Sequence, residues 1–363
     1  MALSTKKEQE YIEKVKKDGL YLKRIKKNQT EAICLEAVRE NGVALQYVNE
    51  QTPEICLEAV KRNGLALRYV KHQTEALCLE AVKSVGVALE YVENQTPEIC
   101  LTAVKRDGVT LKYVQNQTDD LCLEAVKQDG LALMHVQNQT DKICLEAVKS
   151  RGFALRFVKK QTPEICLEAV KQDGMALEYV KEKTDELALE AVKSCGLALR
   201  YVINRTEELC WEAVKQDGRA LEYVGNPTPE MCWEAVKQEG YNLKYVTHQT
   251  PEICLEAVKD NGYAIQFVTH QTEKLCLEAI KHQMGELSYI KKLTEEMYLM
   301  AIFQTVHGYS QILSPTEEMD ITYQLIKDYK GRENLSYQDC RLKIATGEIE
   351  KTQSPYHVLE SLI

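Results

Sequence analysis

Residues 51–72 read Q-T-P-E-I-C-L-E-A-V-K-R-N-G-L-A-L-R-Y-V-K-H. The phrase returns without a gap from Gln29 to Lys292, twelve times in all. A fixed period of this length marks an architecture built by stacking similar units. Thr52 stands where a helix begins, with a hydroxyl that can accept from the first free backbone N–H groups. Pro53 follows at the first helical position, where the missing N–H costs nothing. Glu54 puts a negative charge at the positive end of the helix dipole. Ile55, Cys56, Ala59 and Val60 then recur at helical spacing and define one apolar face, while Glu58, Lys61 and Arg62 lie off it. Gly64 reads as the stop, a residue free to enter the left-handed region in which many helices end. Leu65, Ala66, Leu67, Tyr69 and Val70 make a second apolar run, expected to be a short, partly 3₁₀ helix that folds back on the first. Helices under about 12 residues are marginal in water, so each piece needs its neighbours.

Outward from this phrase, the expected fold class is all-α: an α-solenoid of about fourteen helix–turn–short-helix repeats of 22 residues, with degenerate caps at both ends. Residues 1–28 read as an N-terminal capping repeat and 29–292 as twelve regular repeats. Residues 293–330 read as degenerate terminal repeats, and 331–363 as a non-repeating C-terminal cap or tail.

Of the 363 residues 28% are charged, and the net charge is −9, which suits a soluble chain and disfavours a phosphate-binding surface. The start, M-A-L-S-T-K-K, lacks the apolar stretch of a secretory leader. No run approaches the roughly 18 apolar residues of a membrane span. The expected setting is therefore cytoplasmic, without a membrane partner.

Thirteen cysteines raise the question of disulfides, and their spacing answers it. Eleven of them, from Cys34 to Cys276, hold the same repeat position. Stacked helices lie about 8–10 Å apart, beyond the ~7 Å reach of bridged Cα atoms. Ala188 fills the same place in one repeat, as a small buried hydrophobe would. These are read as structural thiols in a reducing compartment. Glycine-rich phosphate loops, H-E-x-x-H and C-x-x-C are all missing. The carboxylates form a ladder of i,i+3 pairs such as Glu36/Arg39 and Glu58/Lys61, expected in nearly every repeat as a solvated face. No catalytic residue, metal site or cofactor is assigned, and the chain is not expected to be an enzyme.

What varies is the short helix and the turn after it: Gln46, Asn49 and Glu50, then Arg68, Lys71 and His72, then Glu90, Glu93 and Asn94. A varied face on a uniform solenoid is the usual place for recognition, so Arg68, Lys71 and His72 are candidate binding residues. The aromatic column Tyr47, Tyr69, Tyr91, Tyr113 and Tyr179 is read mainly as the rim of the core. Residues 183–248 break the pattern most. Lys183, Arg205 and Pro227 replace the opening Gln, and Trp211 and Trp233 replace Leu in consecutive repeats. Arg219 and Asn242 replace apolar residues. Trp211, Arg219, Trp233 and Asn242 have the composition of an interaction hot spot; compensation for a local change in stacking is the competing reading.

Tandem phrases of the type L-E-A-V-K-x-x-G-x-A-L-x-Y-V joined by x-Q-T-P-E-I-C resemble short helical repeat proteins of giant viruses of amoebae and of amoeba-associated bacteria. The resemblance implies a cytosolic or host-cell setting and a repeat of unassigned function. The expected role is a non-enzymatic scaffold that binds a protein partner through the varied positions. The alternatives are a nucleic-acid-binding solenoid, which the net charge of −9 opposes, and self-association through the non-repeating C-terminal region.

Overall fold

A computed structural model describes residues 4–281, 288–292, 294 and 297. Among them, thirteen α-helices alternate with twelve 3₁₀ helices, from Thr5–Lys17 to Glu273–Ile280, and there is no strand. The fold is all-helical, with a helix–3₁₀ unit of about 22 residues, as in a helical solenoid. The sequence boundaries drawn after residue 297 lie outside the described residues. The chain divides into two compact units, 1–194 and 195–363. Within each, an α-helix packs on the next α-helix and on the 3₁₀ helices before and after it.

The repeat at 51–72 shows why these residues take this form. Thr52 Oγ1 accepts from Ile55 N at 3.4 Å, and Pro53 opens the helix Pro53–Arg62. Ile55, Cys56, Ala59 and Val60 are buried beneath it, as are Ala66, Leu67 and Val70 from the second run. That run is a 3₁₀ helix throughout, Gly64–Tyr69. Residues 5–24 repeat the scheme in simpler form, with Val15, Leu22 and Ile25 buried.

The reading of Gly64 as a left-handed stop is corrected. The α-helix ends one residue earlier, at Asn63, in extended backbone with φ −152° and ψ 108°. Asn63 then starts the next element, since its Oδ1 accepts from Leu65 N at 3.0 Å. Gly64 is needed for closeness. A Cβ there would stand 2.5 Å from the backbone oxygen of Ala81 and 2.7 Å from Val85 Cγ1, both in the following repeat. The glycine column is where one repeat's 3₁₀ helix touches the next repeat's α-helix.

A second device was not anticipated. The glutamine that opens most phrases ties successive turns together. Gln95 Nε2 donates to Tyr113 O at 2.8 Å, while its Oε1 accepts from Gln115 N at 3.0 Å and from Cys100 Sγ at 3.6 Å. Gln51, Gln73, Gln139 and Gln161 make the same three bonds in the first unit, and Gln249 makes them in the second. A side-chain amide offers a donor and an acceptor on one rigid plane, so one residue serves both linkers.

The carboxylate ladder is sparser than its sequence suggests. The i,i+3 pairs close to within 4 Å in five repeats among the described residues, for example Lys61–Glu58 at 3.7 Å. These exposed pairs add little to stability.

Candidate interaction surfaces

Each repeat presents two surfaces: the 3₁₀ helix with its following turn, and the outer side of the α-helix. On the first, the residue before each aromatic ring alternates in charge, as Arg68, Glu90 and Lys112 in the first unit and Arg200, Glu222 and Lys244 in the second. The cations lie over the rings. Arg68 is 5.1 Å from the Tyr69 centroid and 5.4 Å from that of Tyr91, so one guanidinium caps two rungs. Lys112 and Arg156 stand 4.6 Å from Tyr113 and Phe157. In the second unit Arg200 covers Tyr201 and Tyr223, and Lys244 covers Tyr245 and Tyr241. The rings are half-buried, as a core rim requires. The pattern lapses at Met134, which is 52% exposed beside His135. Burial, then nearby Lys112, lowers the pKa of that imidazole.

The three candidates of the second repeat divide in role. Arg68 caps its rings, and His72 is exposed on the turn. Lys71 Nζ donates to Asn49 O at 3.0 Å, one repeat back, a bond that Lys159 and Lys181 reproduce further along. Lys71 also lines a groove of about 480 Å³ with Lys23, Lys26, Tyr47 and Tyr69, where no lining residue is acidic.

The other four candidates do not converge. Asn242 is a core residue, 3% exposed, whose Nδ2 donates to Ala235 O at 2.9 Å. Buried in the core, it presents no surface to a partner, and Thr110 holds the same repeat position in the first unit with a bond to Asp107 O. Arg219 sits on the 3₁₀ surface and folds back on Asp217, with Nη2 2.7 Å from Oδ2. That bond is the main reason the Asp217 pKa is lowered. Trp211 and Trp233 lie instead on the α-helices Glu207–Gln216 and Pro229–Gln238, at equivalent positions, with Trp233 42% exposed.

Trp211 lines a groove of about 700 Å³ with Glu207, Glu208, Glu230 and Met231, rimmed by Thr206 and Thr228. The groove lies where the glutamine tie is incomplete. Arg205 keeps the donor half, Nη1 to Tyr223 O at 2.9 Å. A guanidinium has no oxygen to accept from Gly225 N or Cys210 Sγ. The acceptor half of the tie is lost, and Gly225-Asn226-Pro227 follows.

The eleven thiols of the cysteine column are buried and free, and burial raises the pKa of each, to about 11 for Cys34 and Cys122. Cys195, outside the column, is free and half-buried. No group of three or more His, Cys, Asp or Glu among the described residues could hold a metal ion. No helix among them is long and apolar enough to cross a membrane.

A family model for a domain of unknown function, DUF4116, matches residues 30–75, 140–184, 184–227 and 228–272. Each match spans two turns of the 22-residue phrase, so the chain is similar to a tandem repeat of unassigned function. No curated protein and no solved structure matches the chain.

Proposed function

We propose that this repeat protein is a non-enzymatic scaffold that binds a protein partner through its 3₁₀ helices and turns. One observation carries the reading: core and ties recur from repeat to repeat, while the exposed residues on this surface change sign and size, from Arg68 to Glu90 to Lys112. The aromatic column supports a protein partner over a nucleic acid, because Tyr69, Tyr91, Tyr113 and Phe157 are already covered by the chain's own cations. Base stacking needs an open ring face. Thiols held protonated inside the stack are poor nucleophiles, which favours a non-enzymatic role. The resemblance to repeat proteins of giant viruses and amoeba-associated bacteria makes host-cell cytosol the setting we propose.

The test swaps charge without breaking the alternation: Arg68→Glu, Glu90→Arg and Lys112→Glu together. Full-length wild type and the swapped variant are immobilised and exposed to host cytosol, with thermal melts run in parallel. The expected result is loss of specific captured proteins by the variant at an unchanged melt. An identical captured set would overturn the reading.

A further inference from the structure

We infer that the groove beside Trp211 is a docking site for a cationic protein segment, one that lays an Arg or Lys side chain on the indole and pairs with the surrounding carboxylates. The inference rests on the scaffold reading but uses a different surface, the α-helix side of the second unit. The groove has an apolar floor, Trp211 and Met231, and three carboxylates, Glu207, Glu208 and Glu230, with no Lys or Arg among its lining residues. None of these glutamates enters an ion pair among the described residues.

First-turn acids recur along the chain and serve the helix dipoles, so charge alone would not single this place out. Magnitudes help here. The two helix N-termini at the groove carry roughly +0.5 each, less than the charge of the three carboxylates that line it. The indole adds what other repeats lack, since Leu stands at this position in nearly all of them. Trp is the best ring for a cation; Lys215 Nζ lies 5.3 Å from its centroid, so an incoming cation has to displace that lysine or take the other face of the indole. The incomplete tie at Arg205 coincides with the opening, so access and chemistry fall at one place.

The experiment uses the full chain and a fluorescein-labelled oligo-arginine peptide, followed by anisotropy at low and physiological salt. Trp211→Leu restores the residue that ten of the twelve repeats carry and so keeps the fold. Glu207→Gln/Glu208→Gln/Glu230→Gln removes the local charge. Glu98→Gln/Asp119→Asn/Asp120→Asn removes as many first-turn charges from the first unit. The first two variants are each expected to weaken binding about tenfold, as a lost cation–ring contact or local charge set would. The third should stay near wild type. Equal losses in both charge variants, unchanged affinity in Trp211→Leu, or no binding even at low salt would each overturn the inference. None of these results bears on the 3₁₀-surface swap, so the two readings fail separately.

Discussion

At Gly64 the obvious sequence reading and the structure agree on the residue and differ on the reason. A left-handed stop requires freedom in φ, whereas the structure requires only that no Cβ enter a contact with Ala81 O and Val85. The two reasons predict different mutants. Asn enters the left-handed region readily, so a stop would accept Gly64→Asn better than Gly64→Ala. A contact between repeats rejects both, by about 1–3 kcal/mol for overpacking. Gly225 is the internal comparison, with no heavy atom within 4 Å of an added Cβ. Gly225→Ala should stay within about 0.5 kcal/mol, as open surface sites do. Urea midpoints for the three variants decide it. Tolerance of Asn at position 64 would return the left-handed explanation.

Between elements, the glutamine tie does what the short helices cannot do alone, holding each turn to the next. Gln95→Ala removes one donor and one acceptor at once, leaving Tyr113 O and Gln115 N without their side-chain partner. The cost should be roughly 1–2 kcal/mol, since one group is only part-buried and the other reaches solvent. Hydrogen exchange reads the effect locally: the Gln115 amide should lose protection while amides of distant repeats keep theirs. Unchanged protection at Gln115 would show that the tie is incidental. Much of each repeat was legible before the structure. Thr52, Pro53 and the Ile55–Cys56–Ala59–Val60 stripe act through neighbours three or four residues away, which periodicity records. The tie was not, because its bonds span 18 and 20 residues between a linker side chain and linker backbone, with no apolar signature. One signal was available: Gln recurs after a residue that varies, as Glu50, His72 and Asn94 do. The placement of the candidate residues was hidden for a related reason. Trp211 and Arg219 are close in sequence yet lie on different surfaces, whereas Trp211 and Trp233, a full repeat apart, share one. In a stack, space is measured in repeats. Asn242, a polar exception at an apolar position, stays in the core because Ala235 O lies within reach of its Nδ2.

At the scale of the whole molecule, the eleven buried thiols of the cysteine column, with their raised pKa values, make stability sensitive to alkali. The cause is burial first, with nearby carboxylates adding to it at Cys34 and Cys122. The sign follows from linkage. Thiols in the unfolded chain begin to ionise near the ordinary value of 9.0, while those in the folded chain hold their protons, Cys34 and Cys122 to about 11. Over that window the unfolded state binds fewer protons, so stability falls as pH rises. Below it, the thiol contribution is fully present and flat. The wild-type slope alone does not isolate the thiols. A variant with several column cysteines changed to Ala does, and Ala188 shows that the position accepts that residue inside the core. At neutral pH each change should cost on the order of 1 kcal/mol or less, the price of a small cavity. Above pH 9.0 the difference between wild type and variant should narrow steadily, because only wild type carries the thiol penalty. Urea midpoints taken across the window give the curve, and parallel curves for the two proteins would mean that the column does not couple folding to pH.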